Sequence, residues 1–484
     1  MEIETLKRKA IRGGIWVFAL RAAQQVLTAV RLIILARILA PTDFGLMGIC
    51  AITIAALDVF SETGFQAALV QRRGDIRRFL DVAWSVSVIR GFILCAILYM
   101  IAPYVAAFFQ VPQAEAIIKV ISLSPLLTAF TNIGIVYFQK NLEFDRQFRY
   151  QLVGTASDFA VSITLALATH SVWALVFGLL AGNLARCIAS YLFHPYRPRF
   201  VLDLKAASEL FDFGKWVLGA GVLIFLITQG DNIVVGRLLG VAALGLYQMA
   251  YLISNTPATE ITQVISQVTF PSYSKIQDNK THLRQTYLKV LKSTTMLAFP
   301  LAAMIYSLAP QFTSLFLGDK WAPMVPVLQL LCLFGAVRAV NATMGPLLQG
   351  IGKPKTIAYV SAMQLTLMAL LIIPLTSRYD ILGTAVAVTI PNIFTLAYLL
   401  PKTSKEIESS LGAFAKTLLP AAAGSLIICL TAAIIPTIDA GYSEFAISAI
   451  LCTAAYFATI SIIDPTMYRT LRSQLANAAN GGEL

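Results

Sequence analysis

Charged residues are scarce in this sequence of 484 residues, because Asp, Glu, Lys and Arg make up 13% of it and hydrophobic residues make up 57%. A water-soluble chain of this length needs a larger charged fraction to cover its surface. The mean hydropathy is +0.74, and the apolar residues fall in long blocks. These features exclude an ordinary soluble domain and predict an integral membrane protein.

Several kinds of catalytic motif are also missing. The three histidines are scattered, so they form no zinc motif, and there is no Walker sequence for ATP hydrolysis. The six cysteines lie inside apolar blocks without CxxC spacing, which is typical of packing residues rather than a disulfide framework. No cleavage site follows the basic N-terminus, so we expect no removable signal peptide. We therefore expect neither catalytic residues, nor a metal, nor a bound cofactor.

Fourteen apolar blocks follow one another along the chain. Most are long enough to cross a hydrocarbon core of about 30 Å as a helix. The sequence thus predicts an all-α integral membrane fold with about fourteen transmembrane helices. The predicted spans are 14–38, 44–70, 79–106, 114–138, 149–169, 172–193, 211–236, 243–269, 288–314, 322–349, 356–376, 381–399, 415–436 and 442–463.

The basic residues alternate strictly between the two sides of the predicted spans. Twenty-six Lys and Arg residues lie in the tails and even-numbered connections, and three lie in the odd-numbered ones: Arg237, Lys320 and Arg378. By the positive-inside rule both termini are cytoplasmic and the number of spans is even. This placement explains the net charge of +12 without nucleic acid as a partner. Every connection is too short to fold as a soluble catalytic domain.

The two halves of the sequence repeat at an offset of 200 residues. Matching positions are Gly14/Gly214, Trp16/Trp216, Val17/Val217, Arg37/Arg237, Leu39/Leu239, Gly45/Gly245 and Leu46/Leu246. Because the repeats start six spans apart, both halves enter the membrane in the same direction, which defines a parallel repeat. We predict an N-terminal six-helix lobe over 1–200, a C-terminal six-helix lobe over 201–400, and two appended helices with a cytoplasmic tail over 401–484. Two such lobes are typical of transporters.

Five segments carry a resemblance to a known family: ARILAPTDFGLMGI, LDVFSETGFQAALVQRR, GDNIVVGRLLGVAALGLYQMAYLISNTP, VTFPSYSKIQDN and LLQGIGKPK. In spacing and span order, through residue 463, the chain resembles the Wzx-type polysaccharide flippases, above all the exopolysaccharide exporters of the colanic-acid type. These belong to the multidrug/oligosaccharidyl-lipid/polysaccharide exporter (MOP) superfamily. The resemblance implies two lobes around a central cavity and transport by alternating access.

The resemblance also implies what is transported. The expected substrate is an undecaprenyl-pyrophosphate-linked oligosaccharide for O-antigen, capsule or exopolysaccharide, flipped across the bacterial cytoplasmic (inner) membrane. Membrane lipids and a polysaccharide polymerase are the other expected partners. Two alternatives from the same superfamily are a drug/cation antiporter and a peptidoglycan-precursor flippase. A membrane glycosyltransferase or polymerase is less favoured, because the chain lacks a large extramembrane loop.

Polar residues on the first span predict a substrate-binding surface. Arg21, Gln24, Gln25, Thr28 and Arg31 occupy one arc of about 120° on a helix. A cationic stripe of this kind suits a pyrophosphate and hydroxyl-rich sugars, with Arg21 the leading candidate. The alternative is a structural ion pair between helices for Arg21 or Arg31.

The eighth span carries a second polar stripe. Asn255, Thr259 and Gln263 lie along it and suit sugar hydroxyls. The same pattern arises from hydrogen bonds between packed helices. Glu260, beside the stripe, is predicted to lie level with Arg21 and to contribute to the inner gate or the site.

Charges inside other spans predict coupling or gating residues. Asp58 and Glu62 share one face of the second span, and Arg90 on the third lies at a similar depth. A structural ion pair with Arg90 and a site for a coupling H+ or Na+ are both consistent with this. Asp231 is the repeat counterpart of Arg31, so a pair between these two could hold the outside closed. Asp158 and Arg338 are intramembrane charges to which the sequence assigns no role.

Overall fold

The computed structural model describes residues 24–61, 77–140, 143–201, 204–434 and 441–465. All regular secondary structure in these ranges is helical, which confirms the all-α fold predicted from the apolar blocks.

Long apolar helices dominate the first half. The connections between them are short, as expected for neighbours in a membrane bundle. The helices are α1 (24–38), α2 (Pro41–Ser61), α3 (Arg77–Phe109), α4 (Gln113–Ile121), α5 (Leu123–Ala129), α6 (Val136–Lys140), α7 (Phe144–Thr169) and α8 (Trp173–Phe193), with a 3-10 turn at Ile133–Ile135.

The second half continues this pattern with longer helices. They are α9 (Leu204–Leu238), α10 (Val241–Ile276), α11 (Lys280–Phe312), α12 (Val325–Gly350), α13 (354–378), α14 (381–406), α15 (Leu411–Ile434) and α16 (Tyr442–Ile463). A π-helical turn, Thr313–Leu317, and a 3-10 helix, Asp319–Met324, connect α11 to α12.

The fourth predicted span, 114–138, is not one continuous helix. Its chain turns at Ser122 and opens at Asn132, whose backbone is extended with φ −65° and ψ 115°. The Asn132 side chain accepts a hydrogen bond from the Gly134 amide and donates one to the Tyr196 carbonyl, while its own amide donates to the Ser190 hydroxyl. These bonds satisfy backbone groups that an unbroken helix would satisfy itself, so the break is tolerated among apolar residues.

The eleventh and twelfth predicted spans form an antiparallel helical hairpin, α13–α14. Tyr379 and Asp380 leave helical geometry, and Asp380 has φ 52°. The hydroxyl groups of Thr376 and Thr384 lie 2.8 Å apart across the turn, a contact that eight residues of straight helix would prevent. Two separate spans are therefore present where the sequence predicted two.

Ten helices of the described ranges are long and apolar enough to cross a membrane. One of them, Pro354–Glu406, contains both helices of the α13–α14 hairpin. The chain is therefore a multi-pass membrane protein. The total of fourteen spans stays a prediction, because the first and eighth blocks lie partly outside the described residues and side chains, and the fourth is divided into short helices.

The chain divides into two compact units. The first runs to Gln229 and includes Gly240–Gly245, and the second comprises Gly230–Leu239 and the chain from Leu246 onward. The division into 1–200, 201–400 and 401–484 stays a prediction.

The repeated segments meet within the first unit. A β-carbon on Gly45 would lie 1.8 Å from the Val241 carbonyl oxygen, and one on Gly245 would lie 1.9 Å from the Pro41 oxygen. The two contacts are counterparts under the 200-residue offset, since Gly45 matches Gly245 and Pro41 matches Val241. Both require glycine because the helix backbones touch. The repeat seen in the sequence is thus also a repeat in the packing.

The appended helices α15 and α16 pack on α11 within the second unit. Met296, Ala421, Ile428, Cys452 and Tyr456 form part of their shared core. Tyr456 donates a 2.8 Å hydrogen bond to the Met296 carbonyl. That carbonyl would normally accept from residue 300, but Pro300 has no N–H. The tyrosine hydroxyl therefore replaces a helix hydrogen bond that proline removes.

Candidate functional site

The polar face of α1 packs along a polar face of α7 in the first unit. Gln24 donates a 3.2 Å hydrogen bond to the Thr155 hydroxyl. About two helical turns further along α1, Arg31 donates to the Ser162 hydroxyl. Each contact joins residues 131 positions apart, so the two helices run parallel. This agrees with the predicted topology, in which the first and fifth spans both run outward.

Arg31 is the charged centre of this seam. Its Nη2 lies 2.7 Å from Asp158 Oδ1, and the two side chains are 20% and 17% exposed. Nη2 and Nε of Arg31 also donate to the Ser162 hydroxyl, at 2.9 and 3.3 Å, and that hydroxyl donates to Asp158 Oδ1 at 2.9 Å. The three residues form a closed triangle of charge-assisted hydrogen bonds. We call it the Arg31 triangle.

Two glycines of α8 make room for the Arg31 triangle. A β-carbon on Gly178 would lie 1.8 Å from the Ser162 hydroxyl oxygen and 2.7 Å from Asp158 Oδ1. One on Gly182 would lie 3.0 Å from the Asp158 β-carbon. The Gly-x-x-x-Gly spacing lets α7 and α8 approach closely, which directs Asp158 and Ser162 toward α1.

The structure describes only some of the other polar residues that the sequence predicted as a binding surface on the first span. Gln25 and Thr28 are exposed, and the Thr28 hydroxyl donates to the Gln24 carbonyl of its own helix. Arg21, the leading sequence candidate, lies outside the described residues. The ion pair with Asp158 is the structural alternative that the sequence offered for Arg31, yet part of the Arg31 guanidinium is accessible. A role for the whole stripe in substrate binding stays a prediction.

Asp58 and Arg90 form an ion pair, which is one of the alternatives that the sequence left open. Arg90 Nη2 lies 2.8 Å from Asp58 Oδ1, with side chains 31% and 53% exposed, respectively. Ionised groups inside a span face water or protein rather than lipid, because hydrocarbon does not solvate them. This exposed pair therefore marks a polar face of the first unit. Glu62 lies outside the described residues, and a coupling role for any of the three stays a prediction.

Asp231 lies at the polar centre of the second unit and is 2% exposed. Its Oδ2 accepts a 2.8 Å hydrogen bond from the Tyr247 hydroxyl, and its Oδ1 accepts one from the Asn232 amide. One turn further along α10, Tyr251 accepts a 3.2 Å hydrogen bond from Arg338. Asp231 and Arg31 are thus each bonded inside their own unit, and a pair between them stays a prediction.

The predicted sugar stripe on α10 is mostly internal where it is described. Asn255 is 3% exposed, and its amide donates to the Ser254 hydroxyl at 3.1 Å. Thr259 is half-buried, and its carbonyl accepts from the Thr262 hydroxyl. Both hydrogen bonds stay within α10, so sugar binding and packing against another helix both stay predictions for this stripe. The side chains of Glu260 and Gln263 lie outside the described residues.

The sequence had not assigned roles to three important residues: Asp158, Ser162 and Tyr247. Asp158 was recognised as an intramembrane charge without a partner. The usable signal was the spacing of Thr155, Asp158 and Ser162 on one helix face, opposite the Gly178/Gly182 spacing on the next helix. No group of three or more His, Cys, Asp or Glu residues that could hold a metal ion occurs among the described residues.

The fold is that of membrane transporters. The chain superposes on the lipid II flippase MurJ, in an inward closed conformation, with a TM-score of 0.74 at 16% identity, covering 94% of this chain and 99% of that one. An inward-facing MATE multidrug transporter of the MOP superfamily gives 0.59 at 17% identity, covering 80% and 94%. At these identities the likeness concerns the fold alone, and it agrees with the all-α membrane fold predicted from the sequence.

The sequence places the chain within one family. Residues 34–326 match the family described as polysaccharide biosynthesis protein, and the chain belongs to it. It is 26% identical over 346 residues to the lipopolysaccharide biosynthesis protein WzxC of Escherichia coli K12, covering 71% of this chain and 70% of that one. It is 25% identical over 321 residues to the succinoglycan biosynthesis transport protein ExoT of Rhizobium meliloti, covering 66% and 65%.

Proposed function

We propose that this protein flips undecaprenyl-pyrophosphate-linked oligosaccharide repeat units from the cytoplasmic to the periplasmic leaflet during polysaccharide biosynthesis. Its family and its relatives WzxC and ExoT support a role in making and moving polysaccharide. The observation that supports an anionic substrate is the position of Arg31. This cation lies inside a predicted span, and its side chain is 20% exposed. A partly accessible guanidinium within the membrane is suited to a diphosphate, which it can bind with two parallel hydrogen bonds.

In the proposed transport cycle, the three chemical parts of the substrate meet different surroundings. The diphosphate binds basic groups of α1, Arg21 and Arg31, and the sugars meet polar side chains of the cavity. The prenyl tail stays in the lipid, where its hydrocarbon needs no protein partner. Alternating access then exposes the sugar head to the periplasm.

Direction requires a source of free energy. We propose that a coupling H+ or Na+ binds at Asp58, Glu62 or Asp231, since intramembrane carboxylates are the usual carriers of such ions. Removal of the product by a polysaccharide polymerase is the other source. The protein then lies in the bacterial cytoplasmic membrane with both termini in the cytoplasm, the orientation that its basic connections favour.

The test is the fate of the lipid-linked repeat units in a host that lacks this gene. Deletion should trap them on the cytoplasmic leaflet, and wild-type protein should release them. Arg21→Ala should leave them trapped although the variant reaches the membrane in normal amount, as measured by immunoblot. Normal polymer and no trapped intermediate in the deletion strain, with redundant transporters removed, would contradict the proposal.

The same strains separate the competing functions. A drug/cation antiporter predicts altered sensitivity to cationic drugs with normal polymer. A peptidoglycan-precursor flippase predicts arrest of wall synthesis instead of polysaccharide synthesis. A glycosyltransferase or polymerase predicts sugar transfer by the purified protein, which a radiolabelled sugar donor would reveal.

A further inference from the structure

We infer that Asp158 is a positioning residue that holds Arg31 by one edge and weakens its grip on the substrate's diphosphate, so that the substrate can leave. This inference rests on the proposed function. Neither the resemblance nor the relatives assign Asp158 a role, and the sequence left it unplaced.

The first argument is how Arg31 is held. The contacts to Asp158 and Ser162 use Nε and Nη2, which form one edge of the guanidinium. Among the described residues, Nη1 donates no hydrogen bond. A guanidinium fixed along one edge presents its remaining N–H groups in a defined direction. The Arg31 triangle thus orients a cation without using all of its donors.

The second argument is that the helix packing fixes the triangle. Ser162 and Asp158 lie one turn apart on α7, and Ser162 donates to the same Asp158 oxygen that Arg31 contacts. Gly178 of α8 lies so close that any side chain there would meet both residues. Asp158 therefore cannot swing away toward α8, and its position relative to Arg31 is set by the backbones of two helices.

The third argument is electrostatic. An unpaired arginine inside a membrane would bind a diphosphate so strongly that release would become slow, because low-dielectric surroundings strengthen charge pairs. Asp158 neutralises Arg31 before the substrate arrives, so the diphosphate gains less on binding. The carboxylate stays beside the guanidinium while the diphosphate binds the remaining N–H groups, and the repulsion between the two anions favours release.

The inference gives opposite expectations for two substitutions. Asp158→Asn keeps the shape of the side chain but removes the competing charge, so binding of a diphosphate should tighten and transport should slow. Ser162→Ala keeps the charges but removes the hydrogen bonds that orient Arg31, so binding should weaken. A merely structural ion pair would predict that both variants lose affinity as they lose stability.

The experiment measures binding of undecaprenyl pyrophosphate to the full-length protein in lipid nanodiscs, with undecaprenol as the uncharged control lipid. Asp158→Asn should lower the Kd for the pyrophosphate roughly tenfold and leave undecaprenol binding unchanged. In the complemented deletion strain the same variant should accumulate trapped repeat units. Asp145→Asn is the matched control, because Asp145 lies on the same helix in an exposed pair with Arg149.

Three results would overturn the inference. Asp158→Asn could bind and transport like wild type, or Asp158→Asn and Ser162→Ala could shift the Kd in the same direction. If Asp158→Asn does not fold, an unchanged Kd for a folded Ser162→Ala would also overturn it. A wild-type protein that prefers undecaprenol to its pyrophosphate would instead contradict the proposed function itself, which keeps the two failures apart.

Discussion

Positions 31 and 231 are counterparts in the two repeats, yet their polar centres are built in opposite ways. Arg31 is a cation that meets a carboxylate on another helix and stays 20% exposed. Asp231 is an anion that meets a tyrosine hydroxyl and is 2% exposed. Both copies of the repeat therefore carry a charged residue at this position, but the two residues differ in sign and in exposure to solvent. The accessible centre is suited to bind a ligand, and the enclosed one is suited to hold helices together or to take up a small ion.

The largest expected effect separates the two centres by ligand binding. Arg31→Ala should weaken binding of undecaprenyl pyrophosphate by roughly a hundredfold, because it removes the cation and leaves Asp158 without its partner. Asp231→Asn should leave that Kd unchanged, because Asp231 is enclosed and its bonds stay inside the second unit. Isothermal titration in nanodiscs would measure both values.

A double variant controls for loss of structure in the first centre. Arg31→Ala leaves an unpaired carboxylate inside the membrane, so the protein also loses stability. Arg31→Ala with Asp158→Ala removes both charges and should recover thermal stability without recovering binding. Recovered binding in the double variant would show that Arg31 does not contact the ligand.

The second prediction concerns the packing that the first centre requires. Gly178→Ala should lower the free energy of unfolding by about 1–3 kcal/mol, because the new methyl group overlaps the Ser162 hydroxyl. It should also weaken pyrophosphate binding, since the Arg31 triangle loses its geometry. Gly345→Ala is the matched control, because Gly345 is also helical and its β-carbon would meet no atom within 4 Å. Equal thermal stability of the two variants would show that the α7–α8 contact adapts easily.

The third prediction concerns the enclosed centre. Tyr247→Phe should destabilise the protein by about 1–3 kcal/mol, because the buried Asp231 carboxylate loses a hydrogen-bond donor. Asp231→Asn should reduce this penalty, since the amide is neutral. Asp58→Asn is the comparison, because it breaks the more exposed pair with Arg90. It should lower the free energy of unfolding by about 1 kcal/mol or less. Thermal denaturation in detergent of wild type, Tyr247→Phe, Asp231→Asn and the variant with both changes forms a double-mutant cycle, which gives the coupling free energy between the two side chains. A coupling near zero would contradict the assignment.

The sequence predicted where charges lie inside the spans better than it predicted their partners. Depth made the Asp58–Arg90 pair one of the alternatives, because both residues lie on adjacent spans that are predicted to run in opposite directions. The Arg31–Asp158 pair was not predicted, because it depends on how α1 and α7 are rotated toward each other, and hydropathy carries no information on rotation. The glycines of α8 carried that information, since small residues mark the face along which helices touch.

The same limit explains the span that was predicted as one helix. Residues 114–138 are mostly apolar, so their average hydropathy is that of a continuous helix. The break at Asn132 is stabilised by Ser190 and Tyr196, both on the far side of a helical hairpin. A local pattern cannot reveal a break whose hydrogen-bond partners lie about sixty residues away. The repeat, by contrast, was visible because its matching glycines are required by backbone contact.

The smallest expected effect concerns Tyr456, which donates a hydrogen bond to a backbone carbonyl, whereas Tyr247 donates one to a side chain. Tyr456→Phe should cost about 1 kcal/mol, because the Met296 carbonyl then has neither the tyrosine hydroxyl nor an N–H from Pro300. In a Pro300→Ala background the restored helix hydrogen bond should reduce this cost to near zero. Tyr442→Phe is the control, because its hydroxyl also donates to a carbonyl, that of Leu315, but the residue is exposed. A cost for Tyr456→Phe that is the same with proline and with alanine at position 300 would contradict this, and would show that the hydroxyl does not act through the carbonyl that Pro300 frees.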